Sequence, residues 1–349
     1  MKDLKKIKVS LGSTIRSTIQ IIDTSAMQIA LVVSSDGKLV GTVTDGDVRR
    51  ALLAGISLED IVDKIMNKNP TVCSVDEDRE IILTRMKAKG IHHMPLVDAS
   101  GFLMGLETID ELMAPKKREN IVVLMAGGLG SRLGPLTEDC PKPMLKIGGR
   151  PILETILLNF IEHGFMKFYI SLNYKPEVIT EYFGDGSQWG VEISYLHEDK
   201  KLGTAGALSL IPKKPTQALL VMNGDLLTKI NFSHLLDSHL KNHAKGTMCV
   251  REYDFQVPYG VVKIDNNRII GIDEKPLQRF FVNAGIYVLE PEVLDMIPAD
   301  SNFDMPTLFE KMIEEKQNTS VFPIREYWLD IGQMADFDRA KGDFVKVFK

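Results

Sequence analysis

The chain has 349 residues, of which 44% are hydrophobic and 26% are charged, and its formal net charge is −5. This length predicts two or three domains, and the composition is that of an ordinary soluble globular protein. The acidic balance argues against a dedicated nucleic-acid binder, which would usually show a basic field. No apolar run approaches the ~18 residues that a membrane span needs.

The cysteines and the N-terminus indicate the cellular compartment of the protein. Cys73, Cys140 and Cys249 lie far apart and form no Cys-x-x-Cys pair, so neither a zinc site nor a disulfide framework is indicated. The basic N-terminus, residues 1–6, is not followed by the apolar core of a signal peptide. Because this cysteine usage fits a reducing compartment best, we expect a cytoplasmic protein.

The first third contains an internal repeat. Residues 27–41 align with residues 91–105 at one constant offset, which pairs Gly37 with Gly101. Each copy has the pattern of a strand, a glycine-containing turn, a second strand and a helix, and a helical pattern precedes each copy. Two such units can bury their apolar faces against each other, so we predict one domain over residues 1–115.

This repeat resembles a CBS-domain pair. In that family a hydroxyl faces the phosphates of an adenine nucleotide and an aspartate holds its ribose, and Thr44 and Asp47 match these positions in the first copy. The second copy keeps Thr108 but has Glu111 where the aspartate falls. The resemblance therefore implies one regulatory nucleotide site, with a structural dimerisation module without ligand as the equally weighted alternative. Because CBS pairs often associate, we expect a homo-oligomer.

A polar, basic linker is predicted at 116–120, and such a charge run is typical of a solvated connector. Beyond it, apolar runs alternate with helical patterns. Strands are predicted at 121–125, 167–172, 191–196, 218–222 and 247–252, and helices at 151–163, 175–183, 205–210 and 231–243. This alternation predicts an α/β domain over 121–349, Rossmann-like, with a mostly parallel sheet and helices on both faces. Ligands of such sheets bind at the carboxyl ends of the strands.

A glycine-rich loop follows the first of these strands. The glycines at 127, 128 and 130 let the backbone approach a phosphate closely because no Cβ intervenes. Arg132 and Lys142 follow at short range and supply positive charge, which predicts a nucleoside triphosphate site. The loop is neither a P-loop, for which the lysine comes too late, nor a dinucleotide fingerprint, which would need glycine instead of Leu133.

Two aspartates are candidate magnesium ligands. Asp225 follows the apolar run 219–222, and Asp330 is flanked by apolar residues. A carboxylate in apolar surroundings is costly without a partner, and Mg²⁺ prefers one or two carboxylates together with substrate phosphates. An N-cap or an internal hydrogen bond is the alternative for either aspartate alone. His239 and His243, spaced i, i+4 on a predicted helix, fit a solvated face better than a metal pair.

The order of motifs resembles the sugar-1-phosphate nucleotidylyltransferase family over nearly all of 120–345. The matching elements are Gly-Gly-Leu-Gly-Ser-Arg-Leu-Gly-Pro-Leu-Thr at 127–137, Pro-Lys-Pro-Met-Leu at 141–145, Leu-Gly-Thr-Ala-Gly-Ala at 202–207, Asn-Gly-Asp at 223–225, Tyr-Gly-Val-Val at 259–262, Glu-Lys-Pro at 274–276, Asn-Ala-Gly-Ile-Tyr at 283–287 and Asp-Ile-Gly at 330–332. Each element alone is weak, but together and in this order they are highly specific.

The resemblance implies that a sugar phosphate oxygen attacks the α-phosphorus of an NTP and that pyrophosphate leaves. Arg132 would hold the triphosphate, Lys142 would lie near the α-phosphate, Asp225 and Asp330 would hold Mg²⁺, and Lys275 would grip the sugar phosphate. The residues implied in nucleotide binding are Ala126, Gly127, Gly128, Gly130, Gly203 and Thr204, and those implied in sugar binding are Gly260, Glu274 and Asn283.

The resemblance also bears on the substrates. The Leu-Gly-Thr-Ala-Gly run at 202–206 is more typical of members that transfer GMP, and of some that transfer UMP, than of the thymidylyl-transferring group. The CBS pair ahead of the transferase resembles guanylyltransferases that act on glucosamine 1-phosphate for legionaminic acid synthesis. Transfer to mannose or glucose 1-phosphate is the alternative. An inactive transferase domain acting as a nucleotide sensor is a third, although such a protein would be expected to lose Arg132, Lys142, Asp225 or Lys275.

Overall fold

A computed structural model describes residues 4–128 and 130–348. The chain divides into two compact units, residues 1–115 and residues 116–349. Among the described residues, no helix has both the length and the apolar character required to cross a bilayer.

The first unit is built from two copies of one motif. Each copy forms a three-stranded sheet whose first pair of strands is parallel and whose second pair is antiparallel. The elements are β1 (Lys8–Ser10), α1 (Ile15–Ser25), β2 (Ile29–Val33), β3 (Leu39–Thr44), α2 (Asp45–Leu53), β4 (Cys73–Ser74), α3 (Arg79–Lys89), β5 (His93–Val97), β6 (Leu103–Thr108) and α4 (Ile109–Met113). The predicted repeat is confirmed, since Ile29 pairs with Thr44 as His93 pairs with Thr108.

The turns of the two copies bind each other through their backbones. The amide of Leu39 donates to the carbonyl of Gly101 at 3.1 Å, and the amide of Leu103 donates to the carbonyl of Gly37 at 3.4 Å. An apolar cluster shared by the copies includes Leu31, which is fully buried. The two motifs therefore bury their apolar faces against each other, as the repeat predicts.

The second unit alternates strands and helices. Its elements are β7 (Arg118–Met125), β8 (Lys146–Ile147), β9 (Arg150–Pro151), α5 (Ile152–Glu162), β10 (Phe165–Leu172), α6 (Pro176–Phe183), β11 (Glu192–His197), α7 (Gly203–Gly206), β12 (Leu219–Asn223), β13 (Leu226–Thr228), α8 (Phe232–Lys241), β14 (Gly246–Gln256), β15 (Val261–Asp265), β16 (Arg268–Asp273), β17 (Leu277–Leu289), α9 (Met305–Glu314), β18 (Thr319–Ile324), β19 (Trp328–Asp330) and α10 (Met334–Val347). Most predicted bounds agree to within one or two residues.

The main sheet has the strand order β11-β10-β7-β12-β17-β14-β18. All of its strands run in one direction except β17, which is antiparallel to both of its neighbours. The predicted mostly parallel α/β fold is confirmed. Because β7 and β12 are parallel neighbours, the glycine loop after β7 and the Asn-Gly-Asp turn after β12 lie at the same edge of the sheet.

Helices cover both faces of this sheet because alternate residues of its buried strands point to opposite sides. In β7, Val122 and Leu124 join an apolar cluster with α5, α6, α8 and α10, whereas Val123 joins a second cluster with α9. Val122, Val123 and Leu124 are all fully buried. The packing leaves the carboxyl ends of the strands as the edge that can bind a ligand.

The connection between the units is shorter than the predicted linker at 116–120. Strand β7 begins at Arg118, whose amide donates to the carbonyl of Gly164 at 2.8 Å. Its guanidinium lies 5.9 Å from the ring centre of Phe165 and 3.1 Å from a carboxylate oxygen of Asp237. A charged residue can begin a strand when its side chain has such partners. A prediction from polarity alone therefore makes the linker too long.

The expectation of a solvated face at His239 is wrong. Its side chain is 1% exposed, with Nδ1 2.8 Å from the hydroxyl of Thr247 and Nε2 3.3 Å from a carboxylate oxygen of Glu290. These two partners satisfy both ring nitrogens, which makes burial tolerable. His243 is exposed and lies two residues beyond the end of this helix, so the two histidines do not form a metal pair.

Residues 252–282 form a projection that we call the arm. Strand β18 stops pairing with β14 at Arg251, and β12 pairs with β17 no further than Ile286. Beyond these points β14 and β17 continue as a two-stranded ribbon, and the β15–β16 hairpin connects its ends. The sequence motifs did not predict this extension.

Candidate active site

The glycine loop packs directly against the turn after β12. The amide of Gly224 donates to the carbonyl of Met125 at 2.9 Å. A Cβ atom at residue 224 would lie 2.8 Å from that carbonyl oxygen, so only glycine allows this approach. The contact places Asp225 beside the loop that begins at Ala126, a fully buried residue.

Lys142 and Asp225 form an ion pair at this edge. The Nζ of Lys142 lies 2.5 Å from Oδ2 of Asp225, and the lysine is only 7% exposed. Pro141 and Pro143 flank Lys142 in a short 3-10 turn, which fixes the direction of its stem. Gly130 has φ of +65°, and a Cβ there would lie 2.9 Å from Cβ of Lys142. The glycine therefore makes room for the lysine.

A two-stranded sheet brings Asp330 next to Asp225. Leu226 of β13 pairs with Asp330 of β19, and the amide of Ile331 donates to the carbonyl of Asp225 at 3.2 Å. Asp225 and Asp330 are thus neighbours across an antiparallel pair, although they lie far apart in sequence. Both predicted metal ligands lie at the same edge of the main sheet as the glycine loop.

The pKa of Asp330 reflects the charged groups that surround its carboxyl at this edge. Partial burial of its carboxyl raises the pKa of Asp330, and the negative charge of Asp225 raises it further. The positive charges of Lys142 and Arg132 lower it, and Asp336 adds a smaller increase. A pKa raised by a second carboxylate marks a pair that a cation would relieve.

Arg132 reaches the same place from the glycine loop. Its side chain is exposed, and Nη1 would lie 3.8 Å from a Cβ at Gly332, the residue two positions after Asp330. Within residues 4–128 and 130–348, no carboxylate lies within ion-pair distance of this guanidinium. Arg132 is therefore free to bind an anion.

Two adjoining cavities lie at this edge. The larger, about 340 Å³, is lined by Gly127, Gly203, Thr204, Glu198 and Asn223 among others. The smaller, about 230 Å³, is lined by Gly130, Ser131, Arg132, Lys142 and Gly332. Gly128, Lys201 and Asp225 line both. The smaller cavity collects the cations and the larger one the polar and glycine residues that could surround a base and ribose.

Glu198 closes one side of the larger cavity. Its Oε2 accepts from the amide of Leu202 at 3.1 Å, its Oε1 accepts from the hydroxyl of Ser171, and a Cβ at Gly127 would lie 2.8 Å from Oε1. Glycine at 127 thus leaves space for the carboxylate against the loop. Sequence reasoning missed Glu198, although its place just after β11, at a strand end, was the available signal.

The Gly203–Thr204 turn is held by Asp304, which lies a hundred residues later. The amide of Thr204 donates to Oδ1 of Asp304 at 2.8 Å, and its hydroxyl accepts from the amide of Met305 at 2.8 Å. Gly203 has φ of +80°, and a Cβ there would lie 2.7 Å from both Asp304 Oδ1 and the carbonyl of Phe303. The threonine hydroxyl is therefore engaged in shaping the turn. No local sequence signal pointed to Asp304.

The predicted sugar residues do not line either cavity. Gly260, Glu274 and Lys275 lie on the arm, where Glu274 Oε2 is 3.0 Å from the place of a Cβ at Gly260. Lys275 has a left-handed φ of 45° and is exposed. Asn283 lies near the sheet edge, but its amide group donates to the hydroxyl of Tyr287 and accepts from the amide of Gly285.

A separate cavity of about 480 Å³ lies in the first unit and is lined by Thr44 and Asp47. Oδ2 of Asp47 accepts from the amide and the hydroxyl of Thr44, at 2.8 and 2.7 Å, and Oδ1 accepts from Arg50 at 2.6 Å. His92 lines the same cavity. Both residues predicted for a regulatory nucleotide therefore reach one cavity, while the carboxylate of Asp47 also caps α2.

A glycine loop with two cations and two carboxylates at the carboxyl ends of parallel strands is an arrangement suited to a nucleoside triphosphate and a divalent cation. The family model described as nucleotidyl transferase matches residues 121–346, and the CBS domain model matches residues 2–54 and 59–113. The chain belongs to the nucleotidyl transferase family, with a CBS domain pair ahead of the transferase domain.

Relatives and solved structures agree with this family. The mannose-1-phosphate guanyltransferase of Saccharomyces cerevisiae is 34% identical over 224 residues, which are 62% of this chain and 62% of that protein. The chain thus spans less than two thirds of that relative's length. HddC from Yersinia pseudotuberculosis superimposes with a TM-score of 0.52 at 27% identity, covering 64% of this chain and 99% of HddC. A structure of HddC complexed with GMP-PN gives 0.51 at 26% identity, with the same coverage.

Proposed function

We propose that the chain transfers a nucleotidyl group from an NTP to a sugar 1-phosphate and releases pyrophosphate. The observation that carries this proposal is the convergence of Arg132, Lys142, Asp225 and Asp330 at one edge of the sheet, next to the glycine loop. Four groups from different parts of the chain meet where ligands of such sheets bind.

The transfer forms a bond between a sugar phosphate oxygen and the α-phosphorus and breaks the bond from the α-phosphorus to the bridging oxygen of pyrophosphate. No covalent enzyme intermediate is needed, so the protein contributes positioning and charge neutralisation. Lys142, fixed by its prolines, would sit at the α-phosphate. Arg132, which is exposed and unpaired in the described chain, would stabilise the charge that builds on the leaving pyrophosphate.

Lys201 adds a third cation to this scheme. It lines both cavities together with Gly128 and Asp225, and its ammonium has no ion-pair partner within the described residues. A nucleotide with its base in the larger cavity and its β- and γ-phosphates in the smaller one would pass this point. We assign Lys201 to the phosphates at the junction, a role that sequence motifs did not suggest.

Asp225 and Asp330 would hold Mg²⁺, which supplies neutralisation of triphosphate charge when bound. The raised pKa of Asp330 beside Asp225 supports this fit, since a cation relieves two adjacent carboxylates. Within the described residues no group of three or more His, Cys, Asp or Glu side chains could hold a metal. Substrate phosphates and water would therefore complete the coordination, as Mg²⁺ prefers.

For the nucleotide we propose GTP, and for the acceptor a hexosamine 1-phosphate, with glucosamine 1-phosphate first. The yeast guanyltransferase relative and the GMP-PN complex of HddC support a guanine nucleotide. The resemblance of the fused CBS pair supports the hexosamine acceptor and a place in legionaminic acid synthesis, and the spacing of the three cysteines supports a cytoplasmic protein. Mannose 1-phosphate is the second candidate acceptor because the name of the yeast relative favours it.

The test measures activity for every combination of five NTPs with glucosamine, N-acetylglucosamine, mannose and glucose 1-phosphates. Each reaction contains Mg²⁺, and the readout is the release of pyrophosphate. The expected result is the highest kcat/KM for GTP with glucosamine 1-phosphate. Preference for mannose 1-phosphate would replace the acceptor and keep the reaction class. No turnover with any pair would overturn the reaction class and leave a nucleotide sensor.

At the CBS pair we propose a regulatory adenine nucleotide held by Thr44 and Asp47. The cavity that these residues line supports this, and a ribose would compete with Arg50 for the carboxylate of Asp47. Calorimetry of the full chain with AMP and with ATP should give saturable heat that Asp47→Asn weakens. No heat with either nucleotide would leave the pair as a structural module.

A further inference from the structure

The arm exposes an unusual amount of apolar surface. Eleven large apolar side chains between residues 253 and 281 have 44–75% of their surface exposed. Soluble monomers rarely expose contiguous apolar patches of more than a few hundred Å², and larger ones mark interaction sites. No part of the proposed transfer reaction uses these side chains, so the patch needs a separate explanation.

The ribbon formed by β14 and β17 has one apolar and one charged face. Tyr253 pairs with Phe280 and Asp254 pairs with Arg279, and paired residues share a face while successive residues alternate. Tyr253, Phe255 and Phe280 therefore lie on one face. On the other, Nε of Arg279 lies 2.7 Å from a carboxylate oxygen of Asp254.

The β15–β16 hairpin repeats this division. Val262 pairs with Ile272, and Ile264 pairs with Ile269, which places these four exposed side chains on one face. The opposite face carries Lys263 and Asp273, whose charged groups lie 2.8 Å apart. The charged groups of these two pairs compensate each other within the chain, and they lie on the faces opposite to the apolar ones.

We propose that the apolar faces of the arm dock onto the same faces of a second copy of this chain. Seven side chains on these faces, at about 100 Å² of exposed area each, supply roughly 700 Å² per copy. A specific interface buries about 800 Å² per partner. A two-fold contact is self-complementary by symmetry, and an uncharged face can meet its own copy without burying an unpaired charge.

Neighbouring phenylalanines of β17 provide a matched test on the full-length protein. Phe280, 49% exposed, lies on the apolar face, and Phe281, 67% exposed, lies on the charged face. Sedimentation velocity should show that Phe280→Glu halves the mass of the wild-type assembly, whereas Phe281→Glu leaves it unchanged. Tyr253→Glu, across the ribbon from Phe280, should act like Phe280→Glu.

Three results would overturn the proposal. The wild-type protein could sediment as a single chain, all variants could keep the wild-type mass, or Phe281→Glu could halve the mass as Phe280→Glu does. Thermal unfolding of the Phe280 and Phe281 variants serves as the fold control. Should Phe280→Glu unfold, hydrogen exchange of the wild-type arm decides: protection of 253–256 and 277–281 must rise with protein concentration, and concentration-independent exchange overturns the proposal.

Discussion

The ammonium of Lys142 lies 2.5 Å from Oδ2 of Asp225, across 83 residues of chain. The contact joins the Pro-Lys-Pro turn to the end of β12, and it satisfies a lysine that is only 7% exposed. A buried ammonium needs a paired charge, because removing it from water is expensive. The pair therefore positions the lysine before nucleotide arrives, and phosphate oxygens can then share the same ammonium.

We expect Asp225→Asn to lower kcat/KM by about 100-fold or more, the scale of losing one electrostatic element of an active site. The asparagine can still accept a hydrogen bond from Lys142, so the fold should survive, but its neutral side chain binds Mg²⁺ poorly. The measurement is steady-state pyrophosphate release over a Mg²⁺ series. Asp295→Asn is the control, because Asp295 pairs with Lys214 on the surface. Wild-type rates would remove Asp225 from the site.

Asp330→Asn should inactivate the enzyme and raise the thermal stability of the metal-free protein. The pKa of Asp330 is raised from 3.8 by partial burial and by Asp225. An acid with a raised pKa in the fold stabilises the folded state at low pH, and that stability is lost as the pH rises through the raised value. The gain in Tm over wild type should therefore be present at neutral pH and shrink toward pH 3.8. A destabilised variant at neutral pH would contradict this account.

Lys201→Ala should raise KM for the NTP about tenfold, as expected for a lost charge-assisted contact of roughly 1.4 kcal/mol. The KM for the sugar phosphate should change much less. Lys200→Ala is a matched control because its neighbouring ammonium pairs with Asp300 at 3.0 Å. Initial rates at varied NTP separate the two lysines, and equal effects of both substitutions would remove the specific role of Lys201.

The sequence patterns anticipated the repeat and most of the main sheet because these depend on local signals. Strand periodicity, glycine turns and helix patterns act within about ten residues. The edge where Asp225 lies was also predictable, since the carboxyl ends of parallel strands meet on one side of a sheet. The motif residues on this edge, including Arg132 and Lys142, could therefore be named before their distances were known.

What escaped prediction depends on contacts between distant segments. Asp304 holds the turn at Thr204 from a hundred residues away, and Lys201 gains its place only when two cavities adjoin. The arm was missed because its apolar residues are exposed and lack the buried run of a central strand. Strand β17 was missed although residues 284–289 form a buried apolar run, because its other half lies on the exposed arm. His239 was misplaced because its partners, Thr247 and Glu290, lie on other elements.

Stability of the protein should fall as the pH drops through about 6.5. Burial lowers the pKa of His239 from 6.5, although Glu290 opposes this. Because the pKa of this histidine is lower in the folded protein than in the unfolded chain, the unfolded chain binds protons more readily. Acid therefore favours unfolding. Urea midpoints at pH values on both sides of 6.5 measure this slope. The slope should flatten in His239→Asn and persist in His243→Asn, which alters an exposed histidine.

Substitution by alanine should affect the stability of the protein at one glycine of the larger cavity and not at another. Gly203 has φ of +80°, and a Cβ there would lie 2.7 Å from Asp304 Oδ1 and from the carbonyl of Phe303. Left-handed backbone alone costs an L-residue about 1–2 kcal/mol, so Gly203→Ala should lower stability by at least that amount. A Cβ at Gly128 meets no atom within 4 Å, so Gly128→Ala should unfold like the wild type.

The two substitutions should also differ in why they weaken nucleotide binding. Gly128 lines both cavities, so a methyl group there would occupy space that the phosphates need, and Gly128→Ala should bind NTP weakly while remaining stable. Gly203→Ala should lose binding only in proportion to the loss of its turn. Denaturant unfolding and calorimetric titration of GTP on the same samples separate the two cases. Full nucleotide affinity in Gly128→Ala would show that the phosphates do not pass this loop.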